Sequence, residues 1–241
     1  MAVPSALVLG GGGGIGAAVS RRLAADHAVA VGCWKDLDRA KRLVDDLVAE
    51  GGTAQVVQSD ATSEAGVGVA FDVAEELGDL RVVVHCVGGW DYPRITDLTE
   101  QLIDDSLALN LRSALLALRE SARRVVDGGR IVLLSSAAAQ LAPARQSTYA
   151  AAKAGLEAAA RVAAKEVAAR GITVNVVRPG ATDTETLRRG TSPKAIEAMA
   201  GSNAMRRLGT PDDIAGAVLL LCTADSGWVT GAVIDATGGL T

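Results

Sequence analysis

The chain has 241 residues, a formal net charge of −4, 49% hydrophobic and only 2% aromatic residues, a balance suited to one globular α/β domain with a core of small aliphatic side chains. It excludes a nucleic-acid binder built on a basic, aromatic surface, and no apolar run approaches the roughly 20 residues that span a bilayer. The start of the chain lacks a basic leader pattern, the three cysteines (Cys33, Cys86, Cys222) are odd in number and widely spaced, and His27 and His85 have no ligand-type neighbours at metal spacing. A cytoplasmic protein with reduced thiols and no metal is therefore expected.

In chain order, an apolar strand over 6–9 runs into the glycine stretch Leu9-Gly10-Gly11-Gly12-Gly13-Gly14-Ile15-Gly16, and a helix follows over 17–25. Strand, glycine turn and helix is the context in which backbone N–H groups at a helix start hold a pyrophosphate. Residues 27–33 are β-prone, 36–50 repeat apolar residues at a helical period with Asp36 as N-cap, and 53–58 form the third strand. A helix over 63–77 and a strand over 80–87 continue the alternation, followed by a long helix at 100–126, a buried strand at 130–134, a helix at 148–170 and a strand at 172–177. Pro179-Gly180 breaks the chain, and 184–205 is more polar and reads as a helical lid. Thr210 and Pro211 start a helix that ends near 223, and 233–235 is the last strand. Alternation of this kind implies right-handed crossovers: one domain over 1–241, an α/β doubly wound parallel sheet of about seven strands, with helices on both faces.

In such sheets ligands bind outside the carboxyl ends of the strands. The stretches 10–16, 33–35, 60, 86–89, 135–136 and 179–184 all fall there. Tyr149 and Lys153 are four apart near a helix start and share one face. An ammonium beside a phenol favours the phenolate, which makes Tyr an acid–base group nearer neutral pH. Ser136 ends the preceding strand, where a hydroxyl can orient a carbonyl. Asn110 stands in a nearly all-apolar helical stretch, and a buried amide needs its hydrogen bonds met.

These residues together resemble the short-chain dehydrogenase/reductase family over about residues 3–239, which implies a Rossmann-type fold. Gly10, Gly14 and Gly16 match the family's glycine motif, Asp60 its adenine-side Asp, and Asn110, Ser136, Tyr149 and Lys153 its catalytic tetrad. Asn175, Pro179-Gly180 and Thr184 match its nicotinamide-side segment. The stretches at 149–156 and 170–177 look most like 3-oxoacyl-acyl-carrier-protein reductases. The resemblance implies hydride transfer between a nicotinamide and a carbonyl or secondary alcohol carbon, with reduction of a 3-oxoacyl or related ketone expected. Tyr149 would be the acid–base, Ser136 the carbonyl orienter, Lys153 the ribose ligand and Asn110 the anchor of a relay water. The implied cofactor contacts are Gly10, Gly13, Gly14, Ile15, Gly16, Trp34, Lys35, Asp60, Ala61, Val87, Gly88, Tyr149, Lys153, Pro179, Gly180, Thr182 and Thr184, with Gly11 to Gly13 as permissive filler. An NAD-dependent alcohol or sugar dehydrogenase and a non-catalytic dinucleotide sensor are the rival readings; the intact tetrad argues against the sensor.

Two departures stand out. Leu9 replaces the family's usual Thr, and His85-Cys86-Val87-Gly88 replaces its Asn-Asn-Ala-Gly strand end. Loss of both partners of one polar contact is nearly neutral, so this reads as a structural swap that leaves activity intact; of an extra acid–base and a packed strand histidine, His85 is read as the second. The second strand ends Cys33-Trp34-Lys35 without an acid for a ribose 2′-OH, so NADP(H) is favoured, with NAD(H) as the alternative. Against this, Gly13 stands where many NADP-using relatives carry Arg or Lys. The small-molecule substrate is expected against Trp90, Asp91, Tyr92, 137–146 and the lid, where Leu187, Met199 and Met205 offer apolar contact. Arg188 and Arg189 are read as a solvated face. Arg170 fits a carrier-protein partner, but Asp127 stands where Arg is usual. In the helix at 148–170, Lys153, Glu157, Arg161 and Lys165 read as one polar stripe on a helix otherwise rich in Ala. A homo-oligomer, dimer or tetramer, is expected through helices 100–126 and 148–170.

Overall fold

The computed structural model describes residues 3–241. Seven parallel strands form one sheet in the order β3-β2-β1-β4-β5-β6-β7. They are β1 (Pro4–Leu9), β2 (Ala28–Cys33), β3 (Ala54–Gln58), β4 (Asp79–His85), β5 (Arg130–Leu134), β6 (Thr173–Pro179) and β7 (Val233–Ala236). The first helices are α1 (Gly14–Leu23), α2 (Leu37–Ala49), α3 (Glu64–Leu77), α4 (Glu100–Leu107) and α5 (Ser113–Arg124). Then come α6 (Ala138–Leu141), α7 (Ser147–Val167), α8 (Glu185–Gly190), α9 (Pro193–Gly201) and α10 (Pro211–Cys222). No helix among the described residues is long and apolar enough to cross a membrane.

The strands read as nearly continuous apolar runs because both faces of the sheet are covered. In β1, Leu7 and Leu9 join the core under α3, α5 and α7, whereas Ala6 and Val8 join the core under α1, α2 and α10. Burial of a side chain such as Phe71 or Leu156 contributes about 1.5–3 kcal/mol, and both are fully enclosed. The expected caps are present: Asp36 accepts from the Arg39 N–H, and Thr210 forms a reciprocal capping box with Asp213 ahead of Pro211.

The helix expected over 100–126 is not continuous. Residues Ala108–Arg112 form a π-helical turn between α4 and α5. Side chains take over the carbonyls this turn disturbs: Asn110 Nδ2 donates to Ser106 O at 3.0 Å and Ser113 Oγ to Leu109 O at 2.6 Å. Such single turns usually mark functional positions. The strand order reverses between β1 and β4, which opens a crevice at their carboxyl ends.

Candidate active site

A cleft of about 840 Å³ lies over those carboxyl ends. On the β1 side the chain leaves Leu9 through Gly10, whose φ of +77° suits glycine. A Cβ on Gly16 would collide with the Gly10 carbonyl, so the loop curls tightly onto the start of α1. Gly13 caps α1 with no side-chain hydrogen bond, leaving the helix's first N–H groups to an anion. Gly10, Gly13, Gly14, Ile15 and Gly16 all line the cleft. Gly11 and Gly12 are not filler. The Gly11 N–H donates to Gly32 O at 2.8 Å, and a Cβ on Gly12 would stand 2.9 Å from the Ala40 Cβ.

Trp34, Lys35, Asp60 and Ala61 line the adjoining end of the cleft. Asp60 is held by its own turn, its Oδ1 accepting from Thr62 N at 2.9 Å and Thr62 Oγ1 at 2.7 Å. Arg39, on the first turn of α2, also lines this end, and a Cβ on Gly13 would stand 3.3 Å from its Nη1. Its guanidinium therefore fills the space a side chain at position 13 would take. Arg39 Nη1 pairs with Glu185 Oε2 at 3.0 Å, which ties α2 to α8. Arg39 carries no signal in the sequence, because it reaches this end from the first turn of α2, away from both the strand end and the glycine loop.

Between β1 and β4 the altered contact is tight. Leu9 pairs with His85 in register, and the Cys86 N–H donates to Leu9 O at 2.8 Å. His85 is 1% exposed and its Nε2 lies 3.0 Å from Ser113 Oγ. Burial, with the Lys153 charge nearby, pushes the imidazole pKa down to about 3, so it is neutral and structural.

Ser136, Tyr149 and Lys153 converge on the middle of the cleft. Ser135, next to Ser136, is anchored by its Oγ to Glu157 Oε1 at 2.7 Å, and Glu157 is gripped by Arg178 from β6. Ser136 Oγ accepts from the Ala138 N–H at 3.2 Å, which orients it at the start of α6. Lys153 Nζ donates to Leu134 O at 3.0 Å and lies 5.9 Å from the Tyr149 ring. Burial lowers the Lys153 pKa to about 8. For Tyr149 burial is the largest influence and raises the phenol's pKa, while the Ser136 hydroxyl pulls it down. The expected lowering by the ammonium is thus opposed by desolvation in this chain.

Asn110 stands behind the cleft wall. Its Nδ2 donates to Gly89 O at 2.8 Å and its Oδ1 accepts from Gly89 N at 3.1 Å, which fixes the segment after β4. Val87 and Gly88 then line the cleft in front of it, as do Pro179, Gly180, Thr182 and Thr184 on the β6 side. Asn175 is elsewhere. It is fully buried and clamps the segment before β7 through Val229 O and Ala232 N.

The segment expected as a lid contains the helices α8 and α9. Leu187, Met199 and Ser202 face the cleft, but Met205 is 66% exposed and lies outside its wall. Arg188 is paired with Asp183 at 2.6 Å and Arg189 with Glu185.

Residues 11–241 match the family model described as enoyl-(acyl carrier protein) reductase. An uncharacterised oxidoreductase of Methylorubrum extorquens is 35% identical, covering 98% of this chain and 96% of its own. A short-chain dehydrogenase from Burkholderia cenocepacia, solved in complex with NADP, is 35% identical with a TM-score of 0.91, covering 98% of this chain and 97% of its own. The angucycline C-6 ketoreductase LanV, solved with bound NADP, is 30% identical with a TM-score of 0.92, covering 98% of this chain and 94% of its own. The chain belongs to the short-chain dehydrogenase/reductase family. As a family member it is an NAD(P)-dependent oxidoreductase. A dinucleotide suits the cleft's own chemistry: the Gly10–Gly16 curl leaves room that a Cβ would fill, and the uncapped start of α1 offers free N–H groups.

Proposed function

We propose that this short-chain dehydrogenase/reductase reduces a ketone, of 3-oxoacyl or related type, to a secondary alcohol with NADPH. The observation that carries the reading is the convergence of Ser136, Tyr149 and Lys153 beside the glycine cradle within one cleft. Gly10, Gly14, Gly16 and the start of α1 hold the pyrophosphate, Trp34 and Asp60 flank the adenine, and Lys153 serves the ribose. Lys35 and Arg39 meet the 2′-phosphate, a reading supported by the absence of an acid in Cys33-Trp34-Lys35 and by two neighbours solved with NADP.

When bound there, NADPH would supply the hydride chemistry of the reduction. The chain does the rest. The Ser136 hydroxyl donates to the carbonyl oxygen and fixes its position over Tyr149. The Tyr149 hydroxyl gives that oxygen its proton, and the buried Lys153 ammonium stabilises the phenolate left behind. The burial that raises the Tyr149 pKa keeps the phenol protonated and ready to act as the acid in this direction.

Arg170 is committed to Asp127 Oδ1 at 2.8 Å and to two backbone carbonyls, which gives no support to a carrier protein docked there. NADPH consumption followed by absorbance over a panel of ketones tests the activity. Tyr149→Phe should lower kcat/KM by about two to four orders of magnitude. Full turnover by that variant overturns the assignment. The three cysteines are unpaired, which supports a cytoplasmic setting. A homo-oligomer formed through α4, α5 and α7 is the assembly we propose.

A further inference from the structure

The chain holds three Trp, two Tyr and one Phe in 241 residues. Phe71 is in the core and Trp228 is 99% exposed. The other four, Trp34, Trp90, Tyr92 and Tyr149, all line that cleft. A protein that fills both its cores with Ala, Val, Leu and Ile has not placed these rings as general packing. Trp34 sits at the cofactor's adenine end. Trp90 and Tyr92 sit on the segment after β4, which Asn110 fixes through Gly89. The Trp90 ring centroid is 6.2 Å from that of Tyr149, with the planes tilted by 60°. The Tyr92 backbone is held from the facing loop, where Arg145 Nε donates to its carbonyl at 2.7 Å.

Leu141, Pro143, Leu187 and Met199 add apolar lining to the same cleft, and the polar side chains beside them that line it, Gln146, Thr186 and Ser202, are uncharged. The charged side chains that line the cleft are Lys35, Arg39, Asp60 and Lys153. The first three belong to the adenine end and the last lies beneath Tyr149. The nearby cations do not line the cleft: Arg145 donates its Nε to the Tyr92 carbonyl, Arg188 pairs with Asp183, Arg189 with Glu185 and Arg207 with Asp213, and Arg206 donates to the Gly201 carbonyl. An anionic substrate group would be desolvated there without a partner, which is costly. A flat uncharged ring would instead gain tilted or offset contact with the indole and cover the apolar lining.

We infer that the substrate is an uncharged aryl ketone, its ring seated against Trp90 and the apolar lining of Leu141, Pro143, Leu187 and Met199 with the carbonyl at Ser136 and Tyr149. This rests on the ketone-reduction reading and takes its related-ketone branch, not the 3-oxoacyl one. Trp90 is then a specificity-determining residue that selects the ring.

The test uses the whole enzyme and two matched pairs of probes. 1-Tetralone against 1-decalone asks for the ring, and 4-methylacetophenone against 4-acetylbenzoate asks for the charge. Affinities are measured by calorimetry in the dead-end complexes with NADP+, and kcat/KM is measured with NADPH. The aromatic and uncharged member of each pair should bind roughly three- to tenfold more tightly. Trp90→Phe should keep the tetralone preference and Trp90→Ala should bring the ratio towards one. Equal binding within the pairs, preference for decalone or the carboxylate, or an unchanged ratio in Trp90→Ala overturns the inference. If ring preference appears in the dead-end complexes while no ketone is reduced, the ketone-reduction reading fails and the ring site stands. If ketones are reduced without preference, only the aryl assignment fails.

Discussion

His85 shows how a single residue can leave a family pattern without leaving the fold. In the folded chain it is enclosed at the β1–β4 junction, with Nε2 on Ser113 and no partner for Nδ1. Its pKa falls from 6.5 to about 3. Between those limits the unfolded chain binds a proton that the folded chain refuses. Stability is therefore complete above pH 6.5 and declines as the pH drops towards 3, by on the order of a few kcal/mol. His85→Asn removes that group, and its stability should fall less steeply with acid. Urea unfolding of both forms at pH 7.5 and pH 4.5 checks this. An equal loss in the two forms would assign the acid sensitivity to other groups. The sequence marked His85 as unusual and correctly as packed, because a strand histidine flanked by Val and Cys has little access to water. It did not reveal Ser113 as its partner, since that contact depends on the π-helical turn.

At the level of elements, strands and most helices were legible because apolar periodicity reports burial directly. The features that escaped are those where side chains rather than periodicity decide. The turn at Ala108–Arg112 inserts into an apolar run without altering its composition, so one long helix was expected where two are joined. In α7, Lys153 and Glu157 were read as part of a polar stripe with Arg161 and Lys165, yet both are buried and serve the site. Around α8 the Glu185–Arg189 spacing of i, i+4 is a readable helix pair, whereas Arg188 with Asp183 is not, because that contact depends on how the chain turns into α8. Helix α2 gives the sharpest case. Its first turn sends Arg39 over Gly13, so a cation reaches the adenine end from a position that no strand-end inspection would reach. Arg39→Ala should weaken 2′,5′-ADP binding by about tenfold or more and leave 5′-AMP nearly unchanged. Calorimetry with the two nucleotides distinguishes the outcomes. Wild-type protein that binds both equally removes the NADP preference altogether, whereas discrimination surviving in Arg39→Ala removes only the role of Arg39.

For the whole molecule, the sheet buries one side of α7 and leaves the other bare. Ala151, Ala154, Ala158 and Val162 are exposed along it, and Leu115 of α5 is 45% exposed. A helix apolar on a second side is normally covered there too. Sedimentation velocity at micromolar concentration should show dimers or tetramers, and Ala154→Glu with Ala158→Glu should shift them to monomer. A wild-type chain that sediments only as monomer would overturn the assembly. The overall architecture was readable from the alternation of elements, and the abundance of alanine on several sides of α7 marked it as a contact helix, but which alanines face outward was not, because a run of alanines looks alike whether it meets a sheet, a neighbour or water.

The Arg39–Glu185 ion pair joins the end of the cleft proposed for the adenine to α8, part of the proposed lid. A phosphate that draws Arg39 to itself takes a tether from α8, and by thermodynamic reciprocity a ligand that holds α8 in its tethered position makes that phosphate harder to bind. Cofactor choice and entry of the ketone are on this account one coupled equilibrium, so the affinity measured for either depends on whether the other is already in place.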